Sequence, residues 1–118
     1  MTCMFMYSKF NGDISKWDVS NVIYMNSMFY WAEFNNNISK WNVSNVEDMN
    51  SMFMYSKFNK DISSWDISNV KDMNSMFAYS KFNENVSKWN IQSIKTKNKM
   101  FKNCPLEKQK NKQCKFKH

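Results

Sequence analysis

Apolar residues in this chain return to the same places every 24 residues. Met4-Phe5, Met28-Phe29, Met52-Phe53, Met76-Phe77 and Met100-Phe101 share one register. Phe10, Phe34, Phe58 and Phe82 share a second, and Trp17, Trp41, Trp65 and Trp89 a third. A fixed period between about 20 and 50 residues marks a stacked repeat, in which each unit leans on its neighbours. One unit cannot stand alone. Ordering its backbone costs roughly 1–2 kcal/mol per residue, while each fully buried apolar side chain returns only about 1.5–3 kcal/mol. Stacking and hydrogen bonds between units must supply the difference.

Within the unit 10–33 the apolar positions are Ile14, Trp17, Val19, Val22, Met25, Met28 and Phe29. Trp17-Asp18-Val19 alternates in, out, in, which is the period of a short strand. Val22, Met25, and Met28 with Phe29 follow at spacings of a helical stripe. Ser20 and Asn21 stand ready to cap it, and Ser44-x-x-Glu47 completes a capping box in the next unit. Phe10-Asn11-Gly12-Asp13 and its copies are turn chemistry, since Asn and Asp bond their own backbone. The pattern predicts an α/β repeat solenoid of about four to five coils, each with one short strand and one short helix. The coils run near 1–9, 10–33, 34–57, 58–81 and 82–101, and residues 102–118 form a tail.

Ile14-x-x-Trp17-x-Val19 has the Leu-x-x-Leu-x-Leu spacing of a leucine-rich repeat. The fuller string Phe-Asn-x-Asp-Ile-Ser-x-Trp-Asp-Val-Ser-Asn-Val-x-x-Met-x-x-Met-Phe resembles the BspA-like leucine-rich repeats across residues 1–101. The resemblance implies a leucine-rich-repeat-like stack, curved, with a strand per coil on its inner face, of the kind commonly used for protein contacts. Such repeats occur in bacterial surface proteins, mycoplasma lipoproteins and proteins of large DNA viruses, so the resemblance also allows a cell-surface or virion setting. One departure matters. Where the ordinary repeat carries an inward Asn, this chain has Val22, Val46, Val70 and Ile94. An Asn ladder is not expected there, and Asn21, Asn45 and Asn69 would substitute by capping.

Stacking would gather the four tryptophans into an internal column. Facing outward beside them, Asp18, Asn42, Asp66 and Asn90 alternate acid with amide, which keeps carboxylates apart. Lys16, Lys40, Ser64 and Lys88 run alongside, close enough to neutralise the acids. This is a candidate protein-contact face, polar and without the aromatic anchors that dominate binding energy. A second candidate is the least repetitive patch. Residues 7–9, 55–57 and 79–81 all read Tyr-Ser-Lys, whereas the second coil has Tyr30, Trp31, Ala32 and Glu33. Tyr30, Trp31 and Glu33 are therefore singled out as a contact site, with drift at solvated positions as the plain alternative.

Charge changes the picture only at one end. The net charge is +7. Residues 1–101 hold eleven Lys against nine acids, and residues 102–118 hold six Lys against one Glu. With no Arg, bidentate contacts to phosphate or guanine are missing. The tail has little apolar content and is expected to be mobile. Its Lys102, Lys108, Lys110, Lys112, Lys115 and Lys117 are candidate polyanion contacts, and nucleic acid is the weaker of the partner readings. The fifth coil decays to Lys97-Asn98-Lys99, a polar flank that closes the stack, while the first coil opens inside a repeat and predicts end-to-end self-association through its uncovered face.

No catalytic motif is present. The single His lies at the terminus, and one Gly cannot build a phosphate loop. Cys104, Cys114 and His118 lack a fourth zinc ligand, so neither metal nor cofactor is expected. Three scattered Cys read as reduced thiols in an intracellular compartment, and no apolar run is long enough for a membrane span or signal peptide. The chain reads as a non-enzymatic protein-protein interaction or scaffold module, its partner unknown. The alternative is an architectural element that binds polyanions through the lysine-rich tail.

Overall fold

Left-handed backbone at two places in every unit turns this chain back on itself. In the computed structural model, which describes residues 1–91 and 93–114, φ lies between 52° and 60° at Cys3, Tyr7, Ser27, Trp31, Ser51, Tyr55, Ser75, Tyr79, Lys99 and Asn103. Such angles normally belong to Gly, and other residues adopt them at a cost. Around each pair the chain makes overlapping turns: Met28 N–H donates to the Met25 carbonyl (3.3 Å), Tyr30 to Ser27 (3.2 Å) and Ala32 to Phe29 (3.0 Å).

The remaining amides look to the next winding. Met25, Ser27, Phe29 and Trp31 donate to the carbonyls of Asp48, Asn50, Met52 and Met54, each at 2.9 Å. Met49, Ser51, Phe53 and Tyr55 repeat this onto Asp72, Asn74, Met76 and Ala78. Tyr24, Asp48, Asp72 and Thr96 pair in parallel as single bridges. Sequence-distant windings are thus joined by rows of bonds 23 residues long.

The elements differ from those expected. Among the described residues the helical segments are two 3-10 turns, Pro105–Lys108 and Lys110–Lys112. The stripe read as a helix is the overlapping-turn segment, and the alternation at Trp17–Val19 carries no inter-winding backbone bonds among the described residues. The reason is hydrogen-bond supply. A helix of two turns would be marginal by itself and would spend its amides internally, leaving none to join windings. Overlapping turns bring the same apolar residues inward and free every second N–H for the neighbour.

The inward side chains form columns. Phe5, Phe29, Phe53, Phe77 and Phe101 stack at 5.5–5.9 Å with planes within 4°. Phe10, Phe34, Phe58 and Phe82 form a second column at 6.1–6.4 Å. Met25, Met28, Met49, Met52, Met73 and Met76 fill the space around them, fully buried. Trp41, Trp65 and Trp89 are buried, and Trp41 stacks on Trp65 at 6.5 Å. Each indole N–H donates to a carbonyl of the preceding winding: Trp41 to Ile14, Trp65 to Ile38 (both 3.0 Å) and Trp89 to Ile62 (3.1 Å). Trp17 departs from the expected internal column. It is 41% exposed, and among the described residues its ring contact is with Phe5 (5.8 Å).

Asparagine does join windings, at other positions than the family comparison suggested. Asn11, Asn35 and Asn59 accept through Oδ1 from the backbone N–H of Asn35, Asn59 and Asn83 at 2.7–2.8 Å. Asn45 and Asn69 donate to the Ser20 and Ser44 carbonyls at 2.7 Å, so they link windings as well as sitting where caps were expected.

As far as Cys114, the segment after the last winding packs against it. Leu106, Cys104 and Cys114 are buried against the last winding. Gln109 Nε2 donates to Asn83 Oδ1 (2.8 Å), continuing the asparagine ladder by a side chain. Lys112 Nζ reaches the Asn83 carbonyl (3.1 Å), and the Lys112 carbonyl accepts from Val86 N–H (2.9 Å).

Candidate protein-contact surface

The left-handed residues that bend each winding also aim their side chains outward. Tyr7, Trp31, Tyr55 and Tyr79 occupy one such register. Their rings form a surface ladder: Trp31 stacks on Tyr55 at 4.4 Å and 6°, and Tyr55 on Tyr79 at 4.8 Å and 8°. Tyr30 packs edge-on against Tyr7 (5.6 Å) and Tyr55 (6.1 Å). Trp31 is 48% exposed, Tyr7 and Tyr79 are exposed, and Tyr30 and Tyr55 are half-buried. Glu33 lies 3.6 Å from Lys57, a solvent-exposed pair that bridges two windings.

Of the patch expected from sequence, Tyr30 and Trp31 come together with rings from three windings, and Glu33 flanks them. Tyr7, Tyr55 and Tyr79 were missed. They share the string Tyr-Ser-Lys-Phe-Asn and so do not stand out as the second unit does; their signal is an aromatic residue at one register in four successive units.

The other face resolves differently. Asp18, Asn42 and Asp66 are exposed, but each Oδ1 is engaged by the serine two residues on. Ser20, Ser44 and Ser68 donate both N–H (3.0, 3.1 and 3.0 Å) and hydroxyl (2.5, 2.6 and 2.6 Å). These bonds, the hydroxyl's first, hold the Asp18 and Asp66 carboxyls below the usual carboxylate range. Ser15 does the same for Asp13, and Ser63, through its N–H first, for Asp61. Asn90 sits exposed in the same register. Lys16, Lys40 and Lys88 are exposed; among the described residues none closes to ion-pair distance of a carboxylate, and the Lys16 charge adds a smaller downward pull on Asp13. This face is a row of self-satisfied turns.

The tail lysines are spread around the C-terminal end. Lys108 and Lys110 are exposed, Lys102 is half-buried with its carbonyl bonded to Tyr79 N–H (2.7 Å), and Lys112 is tied to Asn83. Lys115, Lys117 and His118 lie outside the described residues. Burial pushes the Cys114 thiol up to about 11 and raises that of Cys104, while Cys3 is exposed. Among the described residues no group of three His, Cys, Asp or Glu could hold a metal ion, and no helix is long and apolar enough to cross a membrane.

A family model described as "Mycoplasma protein of unknown function, DUF285" matches residues 1–114. No curated protein and no solved structure matches the chain.

Proposed function

The chain belongs to the DUF285 family, and on that footing we propose that it is a non-enzymatic protein-interaction or scaffold module that grips its partner along the aromatic ladder. We take the stacked windings as a leucine-rich-repeat-like solenoid of the BspA type, one in which overlapping turns replace the usual helix. The ladder of Tyr7, Trp31, Tyr55 and Tyr79 with Tyr30 is the observation that carries the reading. Trp and Tyr are the side chains richest in binding energy at interfaces. Stacking has already fixed Trp31, Tyr55 and Tyr79 at 4.4–4.8 Å separations, so binding a partner costs these rings little rotamer freedom.

Affinity capture from the native source, at low and high salt, tests this. Wild-type protein retains a protein partner that resists high salt, and Trp31→Ala combined with Tyr79→Ala releases it while leaving the circular dichroism spectrum unchanged. If the double variant captures the same partner as tightly, the ladder is not the contact site.

A further inference from the structure

Within the overlapping-turn segments three columns of inter-winding bonds point one way, whereas the amides of Glu33, Lys57 and Lys81 and of Glu47, Lys71 and Lys95 donate back to the winding before. Cys3, Ser27, Ser51 and Ser75 donate to Asn26, Asn50, Asn74 and Asn98 in turn. Phe5, Phe29, Phe53 and Phe77 donate to Met28, Met52, Met76 and Met100. Tyr7, Trp31, Tyr55 and Tyr79 form the third column, ending on Lys102. In each column N–H faces the C-terminal end and C=O the other. Peptide dipoles aligned head to tail add, as they do in a helix, and leave partial positive charge where the N–H groups run out. Here they run out at Lys99, Phe101 and Asn103, whose N–H groups have no acceptor among the described residues. Lys99 and Asn103 are also left-handed, and the Lys102 amide between them is turned back onto the Lys99 carbonyl (3.2 Å).

A cleft of about 330 Å³ opens at this place, lined by Lys99, Phe101, Lys102, Glu107, Lys110 and Gln113. Three ammonium groups face one carboxylate. The wider segment 95–112 carries seven lysines against Glu107 alone. Phe101 stacks on Phe77 through one face (5.9 Å), and among the described residues no further ring continues the column.

We infer that this C-terminal cleft binds a phosphate-bearing anion, held by the Lys99 and Phe101 amides together with the Lys99, Lys102 and Lys110 ammonium groups. The phosphate comes either free, as in pyrophosphate, or on a flat ring that continues the Phe101 stack, as in a nucleotide. The site is independent of the aromatic ladder and lies in the folded cap rather than a loose tail.

Titrating the ¹⁵N-labelled full chain with pyrophosphate and with ADP, at constant ionic strength, tests it. Saturable shifts centred on the amides of Lys99 and Phe101 are expected. Lys99→Gln with Lys110→Gln weakens binding about tenfold or more, given the strength of hydrogen bonds to charged groups, whereas Lys57→Gln with Lys81→Gln does not. Tighter binding of ADP with shifts of the Phe101 ring protons assigns a ring-bearing source, and equal affinities assign the free anion. Non-saturating shifts spread over lysines everywhere would overturn the site. So would binding of duplex DNA with no response to either small anion.

Discussion

Ser75 holds φ at 56° with its N–H committed to Asn98, and its hydroxyl has no bonding partner among the described residues. Glycine adopts that angle without the clash between Cβ and backbone. Ser75→Gly is therefore expected to stabilise the fold by about 1 kcal/mol, and Ser75→Val to destabilise it by at least as much. Urea denaturation distinguishes them. The cysteines give a second test at this scale. Burial raises the folded pKa of Cys114 from 9.0 to about 11. The stability this thiol confers is present below its unfolded value and is lost as pH rises through the interval from 9 to about 11. At pH 8 an alkylating reagent should modify Cys3, while Cys104 and Cys114 react only on unfolding.

Each winding is held by a few bonds that repeat, so single deletions report on the element. Trp65→Phe removes the donor to the buried Ile38 carbonyl and should cost about 1–3 kcal/mol. Trp17→Phe, at an exposed ring with no such bond, should stay within about 0.5 kcal/mol. Equal losses at the two positions would mean the indole bond contributes nothing. Acid acts at this level too. Serine bonds lower the folded pKa values of Asp13, Asp18, Asp61 and Asp66. Their contribution is present above the ordinary carboxylate range and disappears as pH falls through the folded values, so denaturation midpoints should drop below about pH 4.

The inward registers were legible because burial repeats with the unit, and Phe34, Trp41, Met52 and their copies could be placed from spacing alone. The local conformation was not. Spacings of three, three and four suit overlapping turns as well as a helix, and the left-handed angles fall on Ser, Tyr and Trp, which give no warning as Gly would. The ladder was half legible, through Tyr30 and Trp31. Its other rungs were hidden by their sameness. The burial of Leu106, Cys104 and Cys114 after the last winding was not legible, because lysine content outweighed one leucine and two cysteines.

At the scale of the molecule, bonds that reach 23 to 27 residues along the chain lock every winding to the length of its neighbours. Removing residues 34–57 entire should leave a cooperative, shorter fold with a modestly lower Tm. Removing Ser39 alone shifts Trp41 and all that follows against the winding before, and thermal unfolding followed by tryptophan fluorescence should show a much larger loss. An unchanged Tm after the single deletion would refute the locked register.

The indole bond from Trp65 to Ile38 makes the point at its sharpest, since donor and acceptor are more than a full unit apart. Genes encoding such chains can lengthen or shorten only by 24 codons at a time. Inheritance here is counted in whole storeys, and a part-storey has nowhere to rest.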